Sequence, residues 1–247
     1  FNIVRIWGNV PLITEEVENV NDAFSHTQAS PEEVYAQIKE DLEFAVDALP
    51  IQYGPADIGR VTKGAARCLL AKVHLTLSEW DSSLACLKDI INSGMYTLIP
   101  NFADVFSVEN KNNAESLFEV QFDKVLQDEG YYGGDPLEAG SDVNNLPSHS
   151  LLELFDAHPD DRKAASVIDM GTQGMRLYKW HDTKGSNGGL GFNIIVLRYA
   201  DVLLMAAEAM NELSYGDELA LEYLNKVRAR SHAKICLLYT SPSPRDS

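Results

Sequence analysis

Two adjacent aromatic residues, Tyr131 and Tyr132, have the most suggestive chemistry in this sequence. Gly130 precedes them and Gly133 and Gly134 follow, so local structure offers the two rings little cover. An exposed tyrosine presents an apolar ring face and a hydroxyl, which suits a sugar because one face of a sugar ring is rich in C–H groups. We predict that both side chains contact a ligand. The alternative is that the loop folds back and both rings pack into the core.

The same glycine-containing loop carries a second set of candidate ligand groups. Asn144 and Asn145 can hydrogen-bond a sugar, and with Asp135 and Asp142 they supply the oxygen donors that Ca²⁺ prefers. Their spacing is not that of an EF-hand, so ordinary turn residues are the alternative to a calcium site. Trp180 is a further aromatic candidate for ligand contact.

The motifs of the common enzyme classes are absent from the sequence. It has no Gly-x-Ser-x-Gly elbow, His-Glu-x-x-His pair, phosphate-binding loop or Cys-x-x-Cys, and its six histidines are dispersed. A glycoside hydrolase needs two carboxyl groups at a defined separation, which a sequence with 37 acidic residues cannot reveal. We therefore predict no catalytic residue, no metal site and no cofactor, with calcium in the loop and a carboxylate-based hydrolase as alternatives.

The charge of the chain argues against some partners. Twenty Lys and Arg residues against 37 Asp and Glu residues give a net charge of −17, which repels phosphate backbones and predicts no nucleic-acid partner.

The apolar segments of the sequence are short. The apolar run 194–197 ends at a charged residue, and it is far shorter than the roughly 20 residues that a membrane helix needs. With 45% apolar residues, the chain is long enough to build one sizeable core.

The elements that must position these residues are mainly helical. Ser30-Pro31-Glu32-Glu33 combines a capping serine, a proline at the first helical position and a glutamate three residues after the cap. Apolar spacing and caps predict further helices that begin at Thr62, at Asp81 as N-cap, after Ser148 or Ser150, at Arg198 and at Asp217.

Two of the predicted helix pairs, at 62–94 and 198–230, match each other with a turn three residues longer in the second pair. Such pairs are the unit of tetratricopeptide packing, although any two amphipathic hairpins would match about as well. We predict a mainly α fold with tetratricopeptide-like hairpins at about 30–94 and 197–232. A loop-rich region at about 95–196 separates them, with strands expected at 117–122 and 177–180 and binding surfaces at 123–147 and 181–193.

Several segments together resemble the SusD/RagB family of nutrient-binding outer-membrane lipoproteins of Bacteroidetes. The segments that carry the resemblance are Arg5-Ile6-Trp7-Gly8-Asn9-Val10-Pro11-Leu12-Ile13-Thr14, Gly59-Arg60-Val61-Thr62-Lys63-Gly64, Asn113-Ala114-Glu115-Ser116-Leu117-Phe118-Glu119-Val120, Leu197-Arg198-Tyr199-Ala200-Asp201-Val202-Leu203-Leu204 and Asn225-Lys226-Val227-Arg228-Ala229-Arg230. Their order and approximate spacing also match. Each has a structural interpretation, so we take these residues as scaffold and not as a site.

The resemblance implies a function as well as a helical fold. Proteins of this family bind glycans or other oligomeric nutrients at the cell surface and pass them to a TonB-dependent outer-membrane transporter of the SusC type, without cleaving them. It also implies a surface-exposed outer-membrane lipoprotein that meets the membrane only through an N-terminal lipid anchor. Besides this leading hypothesis, a helical scaffold that binds partner peptides and, third, a glycoside hydrolase remain as alternatives.

Neither end of the chain matches what the resemblance leads us to expect of a complete family member. The sequence lacks an initiator Met, a signal peptide and the lipidated Cys, so we expect it to be a fragment, 1–235, of one SusD/RagB-like domain. From about Cys236, the last residues resemble the translation of a sequencing-library adapter. We expect 236–247 to be a non-biological tail, with a flexible Ser/Pro tail as the alternative.

Overall fold

A computed structural model describes residues 1–19, 24–126, 129–130, 146–182, 185 and 189–237. Most regular structure in these ranges is helical, as predicted. The helices are α1 (Asn2–Trp7), α2 (Pro31–Ala48), α3 (Lys63–Thr76), α4 (Trp80–Asn92), α5 (His149–Ala157), α6 (Asp161–Ser166), α7 (Tyr199–Leu213) and α8 (Glu218–Arg230). Within the described ranges, every helix is too short or too polar to cross a membrane.

Local capping residues start several helices where the sequence predicts them. The Ser30 hydroxyl accepts a hydrogen bond from the Glu33 amide at 3.3 Å, and the Glu33 carboxylate accepts one from the Ser30 amide at 2.9 Å. This pair completes a capping box at the start of α2. Ser148 and Asp217 accept backbone hydrogen bonds at the starts of α5 and α8. Local chemistry therefore sets these boundaries.

Helix α4 begins earlier than predicted. Its cap is Glu79, and Asp81 lies in the first turn, where a negative charge still favours the helix dipole. The Glu79 carboxylate accepts hydrogen bonds from Lys39 of α2 at 2.8 Å and contacts His74 of α3. The side chains of α2 and α3 therefore fix the turn that leads into α4.

The two predicted hairpins share one hydrophobic core. Helix α3 packs on α4, α4 packs on α7, and α7 packs on α8. Small residues with no exposed surface allow the helices to approach closely, and they are Ala71, Ala200, Ala206, Ala207 and Ala209. Leu87 and Leu203 fill the space between the helices. This arrangement confirms the tetratricopeptide-like hairpins.

Short antiparallel strands organise the loop-rich middle region. The strands are β1 (Val10–Pro11), β2 (Gln28–Ala29), β3 (Ser116–Val120), β4 (Val167–Asp169), β5 (Met175–Leu177) and β6 (Ile194–Arg198). They pair as β1 with β2, β3 with β6, and β4 with β5. The strand expected at 177–180 lies at Met175–Leu177 instead, because its partner β4 begins at Val167, opposite Leu177, directly after α6. Strand β6, which was not predicted, pairs with β3 and leads directly into α7.

Candidate ligand-binding site

Among the described residues, the start of one predicted loop segment, 123–147, contacts the other, 181–193, at Asp182. The Lys124 ammonium donates a hydrogen bond to one oxygen of the Asp182 carboxylate at 2.6 Å. The Gly191 amide donates to the other oxygen at 3.1 Å, and the Asp182 side chain is 5% exposed. A buried carboxylate with donors from both segments fixes them against each other, so they form one surface, which we call the loop face.

Four of the predicted ligand residues, Tyr131, Tyr132, Asn144 and Asn145, lie outside the described residues, and their role stays a prediction. The chain that leads to them is held in place. The Asp123 amide donates to the Glu129 carbonyl at 2.8 Å, and Gly130, immediately before the tyrosine pair, is buried. Amide donors at 125 and 126 lower the pKa of the exposed Asp123 carboxyl. The tyrosine loop therefore starts from a fixed base.

Trp180 lies close to the loop face but is partly buried. Its indole nitrogen is buried and has no hydrogen-bond partner among the described residues. The Lys179 ammonium lies 5.9 Å from the centre of the Trp180 ring. On the other side of this segment, Tyr178 and His181 stack at a centroid distance of 3.7 Å. A ligand can reach only part of the Trp180 ring in this arrangement.

A buried polar network supports the loop face from below. The Glu119 carboxylate is 2% exposed, and one of its oxygens accepts hydrogen bonds from the Asn193 side chain at 2.8 Å and the Asn112 amide at 3.1 Å. The Asn193 side-chain oxygen accepts from the Phe122 amide at 3.0 Å. Glu119 lies two residues after Leu117, and both side chains are buried on the same face of β3. That spacing was the available signal that this carboxylate is buried, although our sequence analysis did not use it.

A cavity of about 520 Å³ lies beside this network, and we call it the strand cavity. Tyr53, Tyr96 and Phe118 supply its aromatic surface, and Asn112 and Asn113 supply amides. A Cβ atom added at Gly64 would lie 2.2 Å from the Tyr96 hydroxyl, so glycine at this position makes room for the tyrosine. The cavity combines aromatic rings with amides, the combination expected of a sugar site.

A second cavity, of about 860 Å³, lies between α5, α8 and the segment that carries Lys179. We call it the cationic cavity, and a buried ion cluster forms one side of it. The Glu115 carboxylate has no exposed surface and accepts from Arg230 at 2.7 Å and from Arg198 at 3.2 Å. It also accepts a hydrogen bond from the Ile99 amide at 2.9 Å. Glu115 therefore ties β6 and α8 to the chain before β3.

Lys179 lies over aromatic rings at the edge of this ion cluster. Its ammonium is 4.3 Å from the centre of the Phe106 ring and 5.6 Å from that of Phe102. Burial, and next the positive charge of Arg198, lower the pKa of Lys179 from 10.5 to about 8. None of the ion pairs found among the described residues includes Lys179. The ammonium is therefore a partly buried cation held by ring faces.

Among the described residues, the candidate metal-ligand side chains are scattered and the Cys68 thiol is buried. No group of three or more His, Cys, Asp or Glu side chains in the described part of the chain is placed to hold a metal ion. Burial raises the pKa of the Cys68 thiol to about 12, so it stays protonated near neutral pH. Asp135 and Asp142, like the asparagines of the calcium hypothesis, lie outside the described residues, so that hypothesis stays a prediction.

Known families and proteins match almost all of the chain. Residues 101–234, more than half of it, match the model of the SusD family. Residues 1–75 match the model of a SusD-like family described as starch-binding and associating with the outer membrane. The chain is 26% identical to SusD-like protein P25 of Formosa agariphila, over 94% of the chain and 53% of the relative. It thus spans about half the length of the curated relatives it matches.

Solved structures share the fold. A laminarin-binding SusD-like protein superposes with a TM-score of 0.80 at 26% identity, over 97% of this chain and 62% of its own. Surface glycan-binding protein A from Bacteroides thetaiotaomicron, solved with laminarihexaose, gives a TM-score of 0.74 at 20% identity. That match covers 97% of this chain and 60% of the other, and it supports the fold alone.

Proposed function

This chain belongs to the SusD family, and from this premise we propose that it binds an oligosaccharide on its loop face without cleaving it. The observation that carries the proposal is the convergence of segments 123–130 and 181–191 on the buried Asp182 carboxylate. A rigid helical frame that presents fixed loops is a common design for binding surfaces. The name of the laminarin-binding SusD-like protein among its structural relatives supports a glycan as the ligand.

Within this proposal, Tyr131 and Tyr132 provide ring faces for the sugar, and Asn144 and Asn145 provide hydrogen bonds. Their loop begins at Gly130, immediately after the hydrogen-bonded Asp123–Glu129 turn. Trp180 contributes from the neighbouring segment, through the part of its ring that remains accessible. Binding of this kind relies on contact and not on bond chemistry, so no catalytic residue is needed.

The proposal includes a place in nutrient uptake. We propose that the whole protein lies at the outer-membrane surface, held by an N-terminal lipid, and delivers its glycan to a TonB-dependent transporter. The description of the second matching family, which includes association with the outer membrane, supports this location. Co-purification of the chain with such a transporter from solubilised outer membranes would test the partnership.

Calorimetric titration with laminarihexaose tests the binding site. Tyr131→Ala and Tyr132→Ala should each weaken binding between about twofold and tenfold, because an aromatic contact contributes about 0.5–1.5 kcal/mol. Tyr215→Ala is the matched control, since Tyr215 is 75% exposed in the turn between α7 and α8. Unchanged affinity in both loop variants would contradict the assignment. Release of shorter oligosaccharides from laminarihexaose would contradict the absence of cleavage.

A further inference from the structure

The basic residues of this acidic chain are concentrated at one place. Among the described residues, six of the chain's 20 Lys and Arg line the cationic cavity, whereas Asp160 is the one lining residue out of 37 Asp and Glu. The six basic residues are Arg162, Lys179, Arg198, Arg228, Arg230 and Lys234. A cavity with one sign of charge in a chain of the opposite sign attracts small ions of the opposite charge. This cavity therefore has the field that an anion needs.

In the described part of the chain, carboxylate partners neutralise only some of these cations. Glu115 faces Arg198 and Arg230, so one negative charge offsets two positive charges there. Asp160 pairs with Arg162 at 2.5 Å. Lys179 lies over the rings of Phe102 and Phe106, and among the described residues Asp201 and Glu115 attract its ammonium without forming an ion pair with it. A desolvated ammonium near two guanidinium groups is unfavourable, and an added anion would offset that cost.

The remaining surface of the cavity indicates what carries the anionic group. Leu151 and Leu154 are 37% and 59% exposed on the wall formed by α5. Ser166 adds a hydroxyl that can exchange hydrogen bonds with a polyol, whereas the buried Ser231 hydroxyl accepts a hydrogen bond from Arg230 at 3.3 Å. A sugar ring with one apolar face, several hydroxyls and a carboxylate matches the leucine wall, the serine hydroxyl and the basic residues of the cavity. The volume of about 860 Å³ lies within the range of about 300–1,000 Å³ typical of small-molecule sites.

We propose that the cationic cavity binds the carboxylate of a uronic acid residue, with Lys179 as its principal charge partner. This inference rests on the proposed glycan-binding function and specifies an acidic sugar as part of the ligand. Lys179 and Asp182 lie in one short segment, so the segment that borders the cavity also holds the loop face.

Calorimetry with trigalacturonate and triglucuronate tests this proposal. Lys179→Met should weaken binding of the acidic trisaccharides by about tenfold or more, because hydrogen bonds to charged groups contribute about 1.5–3 kcal/mol. Lys179→Arg keeps the charge and should retain most of the affinity. Lys88→Met is the matched control, since Lys88 is exposed on α4 and does not line the cavity. Thermal melting verifies that each variant is folded.

A change in the ligand gives a test that needs no variant. Methyl esters of the two trisaccharides lose the negative charge and keep the rings, so binding to the unmodified chain should fall by a similar factor. Failure of both acids to bind, equal binding of acid and ester, or binding indifferent to Lys179→Met would overturn the proposal. Preferential, Lys179-dependent binding of an acidic leucine-containing tetrapeptide would also overturn it, in favour of a peptide. The proposed function is tested separately, because laminarihexaose carries no carboxylate for Lys179 and its test changes the loop tyrosines instead.

Discussion

Replacing Lys179 by Met is expected to stabilise the chain at neutral pH. The pKa of Lys179 is lowered from 10.5 to about 8, chiefly by burial. At about 1.4 kcal/mol for each pKa unit, that difference corresponds to about 3.5 kcal/mol of unfavourable free energy in the protonated folded chain. Because the side chain is only partly buried, water screens part of this, and we expect about 2 kcal/mol.

A second interaction acts in the opposite direction. Met keeps the length of the side chain but loses the attraction between the ammonium and the Phe106 ring, 4.3 Å away. Such a contact is worth about 0.5–1 kcal/mol. We therefore expect Lys179→Met to raise the free energy of unfolding by about 1 kcal/mol at pH 7. Such a result would mean that the charged Lys179 side chain lowers the free energy of unfolding of the unmodified chain.

The pH dependence distinguishes this explanation from a simple change in packing. The folded pKa of Lys179 lies below the unfolded one, so below about pH 8 both states are protonated and the folded chain carries the full penalty. Between about pH 8 and 10.5 the folded chain has released the proton that the unfolded chain still binds. The stability of the unmodified chain therefore rises relative to Lys179→Met in that window, and the advantage of the variant shrinks.

Urea unfolding at pH 7, 8, 9 and 10 measures this difference. Comparing each variant with the unmodified chain at the same pH cancels the titration of other groups, such as Cys68. Lys88→Met should show a small difference that does not vary with pH, since Lys88 is exposed. If Lys179→Met loses more than about 1 kcal/mol at pH 7, or if its difference stays constant from pH 7 to pH 10, the account of Lys179 as a penalised cation is refuted.

Two further predictions concern the frame of the site. Glu115→Gln should lower the free energy of unfolding by about 3–5 kcal/mol, because Arg198 and Arg230 lose the carboxylate that neutralises them, whereas the exposed Glu109→Gln should change it little. A loss below about 1 kcal/mol in urea unfolding would contradict this. Gly64→Ala should cost about 1–3 kcal/mol, since the new Cβ would meet the Tyr96 hydroxyl, and adding Tyr96→Phe should restore part of the loss. A purely additive double variant in a thermal melt would argue against that contact.

The helices could be predicted from the sequence because their signals are local. The capping box at Ser30 and the cap at Ser148 act within three residues, so they are visible without knowledge of the fold. Strand β6 could not be predicted in this way. It exists because it pairs with β3, about 80 residues earlier, and its run of apolar residues shows no alternation.

The candidate site shows the same division between local and distant signals. The sequence indicated the loop segments through their glycines and aromatic residues, and Asp182 does join them. The cationic cavity was invisible because its basic residues come from separate segments between 162 and 234, and each looks like an ordinary surface charge in the sequence. The ring of Trp180 makes it a candidate ligand contact in the sequence, but its neighbour Lys179 supplies a cation 5.9 Å from the centre of that ring.

The position of Glu115 constrains the order in which the chain folds. Its two guanidinium partners follow it by 83 and 115 residues, whereas the helical hairpins close over short stretches. Hairpins can therefore form early, while the Glu115 carboxylate gains its second guanidinium partner only after Arg230 has been synthesised. Helix α8 thus supplies a partner to a residue 115 positions earlier in the chain, so during translation this ion cluster stays incomplete until Arg230 has left the ribosome.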